Sequence, residues 1–573
     1  MAKVALYIPY ADLHDNVPST LETFRSHLSA YSRIKVLHIC SAMNAALRED
    51  QDPRSQTAHD RLVREVFSQQ TADRLLKRDE NVRFVFHRQQ LLFLMKEAVA
   101  ICRDEGRIPA VPEDAFGDLF LMASDHLPLQ TTKPDATEDK FVWLAANMLP
   151  VQEASAFQNF DLSIIRSHLM LFDALPKVEG KPQYDLPAMF ENITGMSLVT
   201  YHSLVFGALT KFLKFDVERF VQNPQNYSLQ REWFSSTRVP PAQVEAFLRF
   251  VSATPDDLTA ALRTQNSGPN DYTVFRDKPL FRDGDRLFLV DFSFLAEKIE
   301  NAPFWTVHSS LGNDERENFH SFWGRVFECY GDDLLEMAVD GRSNILYRKP
   351  VFDSRPNEEV CDAILICGES AAFIEFKGAT FTARAKYGND HALLRSDLER
   401  KLVSPSGVAQ LVRSIQATCS RTDPEPIREL DLRGVTTVFP VIVTRDEIGS
   451  TVGINAFLNI RFQELFDRKL RKGMLKTITP LFCLSSSDIE RLTNYLAETP
   501  MTDILNAHYR ACRRKGHYLS EPLFVAEGNE LLGDKRRLKP RILTQAWGKL
   551  GDIMVDTLGL RPEEAKTDVK DTI

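Results

Sequence analysis

The stretch that most restricts the fold is a pair of short apolar runs, residues 361–366 (Cys-Asp-Ala-Ile-Leu-Ile) and 373–378 (Phe-Ile-Glu-Phe-Lys-Gly), joined by the tight connection Cys367-Gly368-Glu369-Ser370. Runs of this length and composition, broken by Gly, predict the two strands of a hairpin. The period of two puts Glu375 and Lys377 on one side of the second strand, with Ile374 and Phe376 on the other. Apolar residues flank the charges, so the strand does not read as a solvated edge. Asp362 opens the first strand. Two carboxylates and an ammonium on adjoining strands make a donor set for a hard divalent cation and its bound water, a chemistry suited to phosphodiester hydrolysis.

The elements around this hairpin follow a definite order. A helix is predicted over residues 315–335. Strands follow at 345–352, 362–366 and 372–378, and a polar segment leads to a helix ending near Ala417. A strand at 436–444, a helix at 454–468, a strand at 477–484 and a helix opening at Ser485 complete the pattern. Such an α-β-β-β-α-β order predicts a mixed central sheet flanked by helices. On the first helix Glu328 shares a face with Gly324 and Leu335, placed to look over the sheet. On the helix after the hairpin Gln410 is a polar residue in an apolar stretch, and Ser404 and Pro405 read as its start. Arg384, Lys386, Arg395, Arg400 and Lys401 lie between Lys377 and Gln410.

Together these residues resemble the PD-(D/E)xK nuclease superfamily. The family runs helix-Glu, strand-Asp, strand-Glu-x-Lys and then a helix often bearing Gln. Glu328, Asp362, Glu375, Lys377 and Gln410 meet that order over roughly the last third to half of the chain. The departure is Cys361, where the family name has Pro. The resemblance implies a restriction-endonuclease-like α/β fold and a metal-dependent nuclease, most members of which act on DNA. It implies Mg²⁺ (or Mn²⁺) held by Asp362 and Glu375, with Glu328 binding a second metal directly or through water. Lys377 would orient the attacking water and stabilise the pentavalent state, and Gln410 would orient the nucleophile or a phosphate. Cutting both strands with one site per chain implies a homodimer. The helical region ahead of the domain is similar to that of large bacterial defence nucleases, which implies an anti-phage role. Two other readings stay open: a nuclease fold that binds nucleic acid without turnover, and a regulatory interaction protein whose helical half is the working part.

The rest of the chain frames this site. Residues 1–178 read as mostly helical, with helices at 20–30, 60–67, 88–101 and 140–148, and a linker over 175–182. The region is a candidate surface for a protein partner. Residues 183–310 read as helical with a small β portion: a buried helix over 198–212 capped by Ser197, helix again at 240–263, strands at 272–275, 279–281 and 286–290, and a helix at 292–301. The nuclease-like domain covers 311–505, and 506–573 form a basic extension with a mobile tail. In it Arg513, Arg514, Lys515, Arg536 and Arg537 are candidates for nucleic-acid contact, as are Arg384 and Lys386 near the hairpin. A net charge of −9 confines any such contact to local basic surface.

Other motifs exclude more than they suggest. No apolar run approaches bilayer length and the N-terminal apolar stretch is too short for a signal peptide, so the expected compartment is the cytoplasm, with no membrane partner. The 8 cysteines show no metal spacing and read as buried thiols. The chain has no phosphate-binding Gly-rich loop, so any ATP-driven step would need a partner. Ser124, Asp125 and His126 are consecutive, which is not how a catalytic triad is built. Asp125 reads as a turn or cap residue, and Glu358 and Glu359 read as a solvated loop.

Overall fold

A computed structural model of the chain describes residues 5–47, 57–76, 82–127, 137–155, 160–213, 227–264, 268–339, 343–388, 390–419, 424–466, 475–514, 523, 530–532 and 541–559. The architecture is mixed α/β. Short apolar segments give β1 (Ala5–Tyr7) and β2 (Val82–Phe84), a parallel pair. A small mixed sheet has the order β3-β6-β5-β4, from β3 (Leu229–Gln230), β4 (Ser252–Ala253), β5 (Leu280–Asp283) and β6 (Arg286–Leu289).

The central sheet contains β7 (Ile345–Arg348), β8 (Ala363–Cys367), β9 (Ser370–Lys377), β10 (Thr437–Thr444), β11 (Thr477–Ile478) and β12 (Phe482–Ser485). Its order is β11-β10-β9-β8-β7, with β12 also on β10. β8 runs antiparallel to both β7 and β9, while β10 runs parallel to β9, β11 and β12. β9 and β10 are interior strands covered on both faces, which explains their almost unbroken apolar sequence. Pro440 lies inside β10 without an N–H to donate. The neighbouring strand is interrupted there, pairing up to Val438↔Ile478 and resuming at Val441↔Phe482.

The two faces of this sheet enter different apolar cores. Ala363, Leu365, Ile374, Phe376, Val441 and Val443 join the larger one, together with the Phe292–Ser310, Asn313–Ala338 and Ser486–Leu492 helices. Ile364, Phe373, Val438 and Ile442 face the other, built with the His391–Leu398, Val408–Cys419 and Ile454–Leu465 helices. Val142, Ala145, Ala146 and Leu149 of the Thr137–Ser155 helix belong to that second core, so an N-terminal helix covers part of the outer layer. Among the described residues no single helix is long and apolar enough to cross a bilayer. Leu186–Thr194 and Leu198–Leu213 pass that test only as a pair bent by 67°, and Tyr201, Leu204, Val205 and Ala208 of the pair are buried within the protein.

Several elements differ from the sequence pattern. Residues 272–275, expected as a strand for their Tyr, Thr, Val and Phe, begin the Thr273–Asp277 helix instead. Asp271 accepts from the Thr273 N–H at 2.9 Å and stabilises that helix start, overriding β-propensity. The helix carrying Gln410 starts at Val408 and not at Ser404, because its first turn closes on the Gly407 carbonyl. The strand expected to reach residue 352 stops at Arg348: Lys349 has φ +42°, and Pro350 follows.

One buried ion network joins the helical half to the α/β half. Arg166, 3% exposed, contacts Glu490 at 2.6 Å, Glu300 at 3.2 Å and Glu447 at 3.3 Å. Tyr330 on the Asn313–Ala338 helix donates to Glu490 at 2.8 Å. Removing one member of a buried pair leaves the other charge uncompensated, which typically costs about 3–5 kcal/mol. Arg166→Met is therefore expected to lower unfolding stability by about that amount in urea titration. An exposed control, Arg433→Met, is expected to stay within about 0.5 kcal/mol of the parent protein.

Candidate functional site

The site is assembled by a close helix–strand approach. The Phe376 ring stands where a Cβ on Gly331 would be, 2.3 Å away, so only glycine lets the Asn313–Ala338 helix settle on β9. One step further, a Cβ on Gly378 would lie 2.8 Å from the Gly324 Cα. Glu328 sits between Gly324 and Gly331 at helical spacing, on the face so pinned. The helix therefore brings Glu328 to the end of the β8–β9 pair.

The strands bring the remaining groups together. The register of β8 with β9 ends at Ala363↔Ile374. One residue further, Asp362 stands opposite Glu375. Asp362 Oδ2 accepts from the Phe376 N–H at 2.6 Å. Lys377 Nζ donates to Glu375 Oε2 at 2.7 Å and to Gln410 Oε1 at 3.4 Å. Glu375 has no exposed surface, and its other oxygen, Oε1, is buried and accepts no hydrogen bond from any described residue. The site lies at one end of the central sheet, with Gln410 on one helical layer and Glu328 on the other.

This is a strongly perturbed electrostatic environment. Burial, and after it the charge of Asp362, pushes the Glu375 carboxyl up to about 8, although Lys377 opposes the shift. Burial and Asp362 likewise push Glu328 up to about 7. Asp362 is raised by burial and held back by Lys377, by its backbone hydrogen bond, by Lys349 and by a side-chain hydrogen bond with Glu375. For Lys377, burial disfavours the charged form, but Glu375, Asp362 and Glu328 outweigh it and its pKa rises. The cluster holds more acid than its one buried amine compensates.

That excess, and the unpaired Glu375 oxygen, fit a hard cation held by Asp362 and Glu375. Among the described residues no three His, Cys, Asp or Glu side chains stand together as a ready-made metal cluster. Two carboxylates converge, and Glu328 is coupled to them through its field.

The basic residues expected to contact nucleic acid have different fates. Arg384 is exposed on the Ala383–Tyr387 helix. Lys386 on the same helix is half-buried and bound to Asp446 at 3.1 Å, so it serves the packing there. Lys401 and Arg400, which share that stretch of chain but carried no such expectation, both bind Asp397, at 2.8 Å and 3.0 Å. Arg513 is exposed and lines a cleft of about 860 Å³ with Asp503, Arg510 and Glu530. Asp503, at the start of the same helix, lies near enough to Cys367 to act on its thiol, which is the hairpin-turn end of β8 and the opposite end from Asp362. Lys515, Arg536, Arg537 and the Arg514 side chain lie outside the described residues, as does the tail from 561.

Asp125 acts over a long range and is not a local cap: it accepts from the Ser19 N–H at 2.7 Å and the Tyr10 N–H at 3.2 Å, tying down an early loop. Two residues near the site escaped the sequence pattern. Glu359, expected in a solvated loop, is exposed but feels Lys349 and Asp362. Lys349 feels Glu359, Glu328 and Asp332. The sequence signal for Lys349 is only a Lys-Pro pair closing a strand.

No protein-family model, no curated protein and no solved structure matches the chain.

The raised Glu375 value has a definite consequence for stability. An acid with a folded pKa above its unfolded value of 4.5 contributes stability fully below that value and loses it as pH rises through about 8. Glu375→Gln removes the titration. In chelator, the melting temperature of Glu375→Gln relative to the parent protein is expected to climb between pH 5.5 and 8.5. A difference that is flat or falls with pH contradicts the assignment.

Proposed function

We propose that the chain is a metal-dependent nuclease of the PD-(D/E)xK type, hydrolysing phosphodiester bonds, with DNA as the favoured substrate. The observation that carries this reading is the Glu375 carboxylate. It is wholly buried, only one oxygen is engaged by Lys377, at 2.7 Å, and the carboxyl group stands opposite Asp362 within hydrogen-bonding reach. A sheet selected for stability alone would place an apolar residue there.

Asp362 and Glu375 would hold Mg²⁺ or Mn²⁺, which when bound supplies charge neutralisation at the phosphate and lowers the pKa of a coordinated water. The chain's own groups do the rest. Phe376 N–H fixes one Asp362 oxygen and so orients the carboxylate. Lys377 is a positioned donor for an incoming water and for charge developing on phosphoryl oxygens, and Gln410 holds its ammonium from the far side. Glu328, raised to about 7, is placed to carry or release a proton near neutrality. Cleaving both strands of a duplex with one site per chain would call for two chains.

Purified protein is to be incubated with supercoiled, linear and single-stranded DNA and with RNA, each with Mg²⁺, Mn²⁺ or chelator. Metal-dependent cutting of DNA is expected. Asp362→Ala and Lys377→Ala are each expected to lower the rate by at least about a hundredfold without loss of folding, judged by circular dichroism. Undiminished cleavage by both variants, or cleavage that survives chelation, is incompatible with the proposal.

A further inference from the structure

The register carries the row of site residues one strand beyond the nuclease motif. β7 pairs with β8 up to Arg348↔Ala363, and β8 with β9 at Ala363↔Ile374. The next residue on each strand gives Lys349, Asp362 and Glu375 side by side at the same end of the sheet. Lys349 N–H donates to the Asp362 carbonyl at 2.9 Å, and the Pro350 carbonyl accepts from Val360 N–H at 2.7 Å. These bonds hold Lys349 at φ +42°, a left-handed conformation that a side chain longer than Asn or Gly rarely takes. A residue kept there against its own preference is a functional candidate, because Gly would satisfy the backbone at lower cost.

The surroundings say what the ammonium faces. Arg348, one residue earlier, takes the nearby acids on the Asn313–Ala338 helix, with contacts of 3.3 Å to Asp332 and 2.5 Å to Glu336. Lys349 is exposed, and among the described residues it makes no ion pair. Burial weakens its hold on its proton, and Cys329, Glu359, Glu328 and Asp332 more than offset this, so it stays charged. The acids acting on Lys349 are Glu359, Glu328 and Asp332, of which Asp332 is already engaged by Arg348. A polyanion arriving there meets repulsion that a cation held between Asp362 and Glu375 relieves only at the reacting phosphate. A neighbouring phosphate needs its own positive partner, and an exposed lysine supplies one as a point charge.

We propose that Lys349 is a substrate-binding residue of this site, holding a DNA backbone phosphate next to the one that is cut. The assignment rests on the nuclease reading above. It predicts a defect in binding and not in the chemical step.

The test uses the full chain with Lys349→Gly, which suits the left-handed backbone and removes the charge, and Lys349→Arg, which keeps the charge. Duplex cleavage in Mg²⁺ gives KM and kcat. Fluorescence anisotropy on the same duplex, with Ca²⁺ in place of Mg²⁺, gives binding as a function of salt. For Lys349→Gly the expected results are a melting temperature at or above that of the parent protein and KM raised roughly three- to tenfold at nearly unchanged kcat. The slope of log affinity against log salt should be smaller by about one. Lys349→Arg should restore KM and slope. Unchanged KM and slope in Lys349→Gly overturn the proposal, and so does a binding loss that Lys349→Arg fails to restore, since that marks a purely structural role. If the parent protein shows no metal-dependent cleavage, the nuclease reading itself fails and takes this assignment with it. That result is visible before either variant is compared.

Discussion

Burying the Glu375 carboxylate on an interior strand is the constraint around which the rest of the site is arranged. A buried carboxylate without full compensation is costly, and Lys377 engages only one of its oxygens. The cost is tolerable because both faces of β9 are closed by apolar layers that stabilise the strand on either side of the charge. Ile374 and Phe376 bury one face, and Phe373 anchors the other. The sheet thus breaks the rule of an apolar interior at the end where β7, β8 and β9 finish together. Such a local violation inside a consistent fold is what a functional site looks like.

Much of this was legible from the chain because it depends on local periodicity. Alternation alone put Glu375 and Lys377 on one side of a strand, and the short connection was enough to place Asp362 beside its partner, although the turn is only Gly368 and Glu369 and not the four residues expected. Glu328 and Gln410 were legible as positions on helices but not as contacts. What brings Glu328 close is the fit of Phe376 against Gly331, two residues 45 positions apart in a sequence that gives no sign of their meeting. Lys349 was not legible at all, since its conformation comes from hydrogen bonds to Asp362 and from the path of the following Pro350 loop. Local chemistry also defeated the strand expected at 272–275. There the Asp271 side chain accepts from the first N–H of a helix, a bond that propensity scales for Val, Phe and Tyr do not contain.

The basic residues show a different limit of sequence reading. Lys386 was a candidate because it falls near the hairpin in the chain, and Lys401 lies in the same segment. Each has found a buried or half-buried carboxylate, Asp446 and Asp397, whose demand for a cation precedes any demand from a ligand. A run of positive charge is thus an interaction surface only to the extent that the fold leaves it uncompensated. By that criterion Lys349, with no carboxylate partner among the described residues, differs from Lys386, which has one.

The helical half bears on the same end of the sheet through two bonded routes. Arg166 binds Glu490, which accepts from Tyr330, two residues beyond Glu328 on the helix that carries it. Arg445 contacts Glu300 at 3.7 Å and Asn301 at 3.2 Å through its side chain, and its own N–H donates to the Lys377 carbonyl at 3.1 Å. A displacement of the Phe292–Ser310 helix is therefore felt at Glu328 and at Lys377. Asp362 is held differently, by Phe376 N–H and by the Lys349 N–H on its carbonyl, both within the sheet. The carboxylate pair is thus fixed by strands, while the groups that would move protons and position water are braced by helices drawn from the other half of the chain. That division couples the helical region to Glu328 and Lys377 through bonds that do not pass through the Asp362 and Glu375 carboxyl groups.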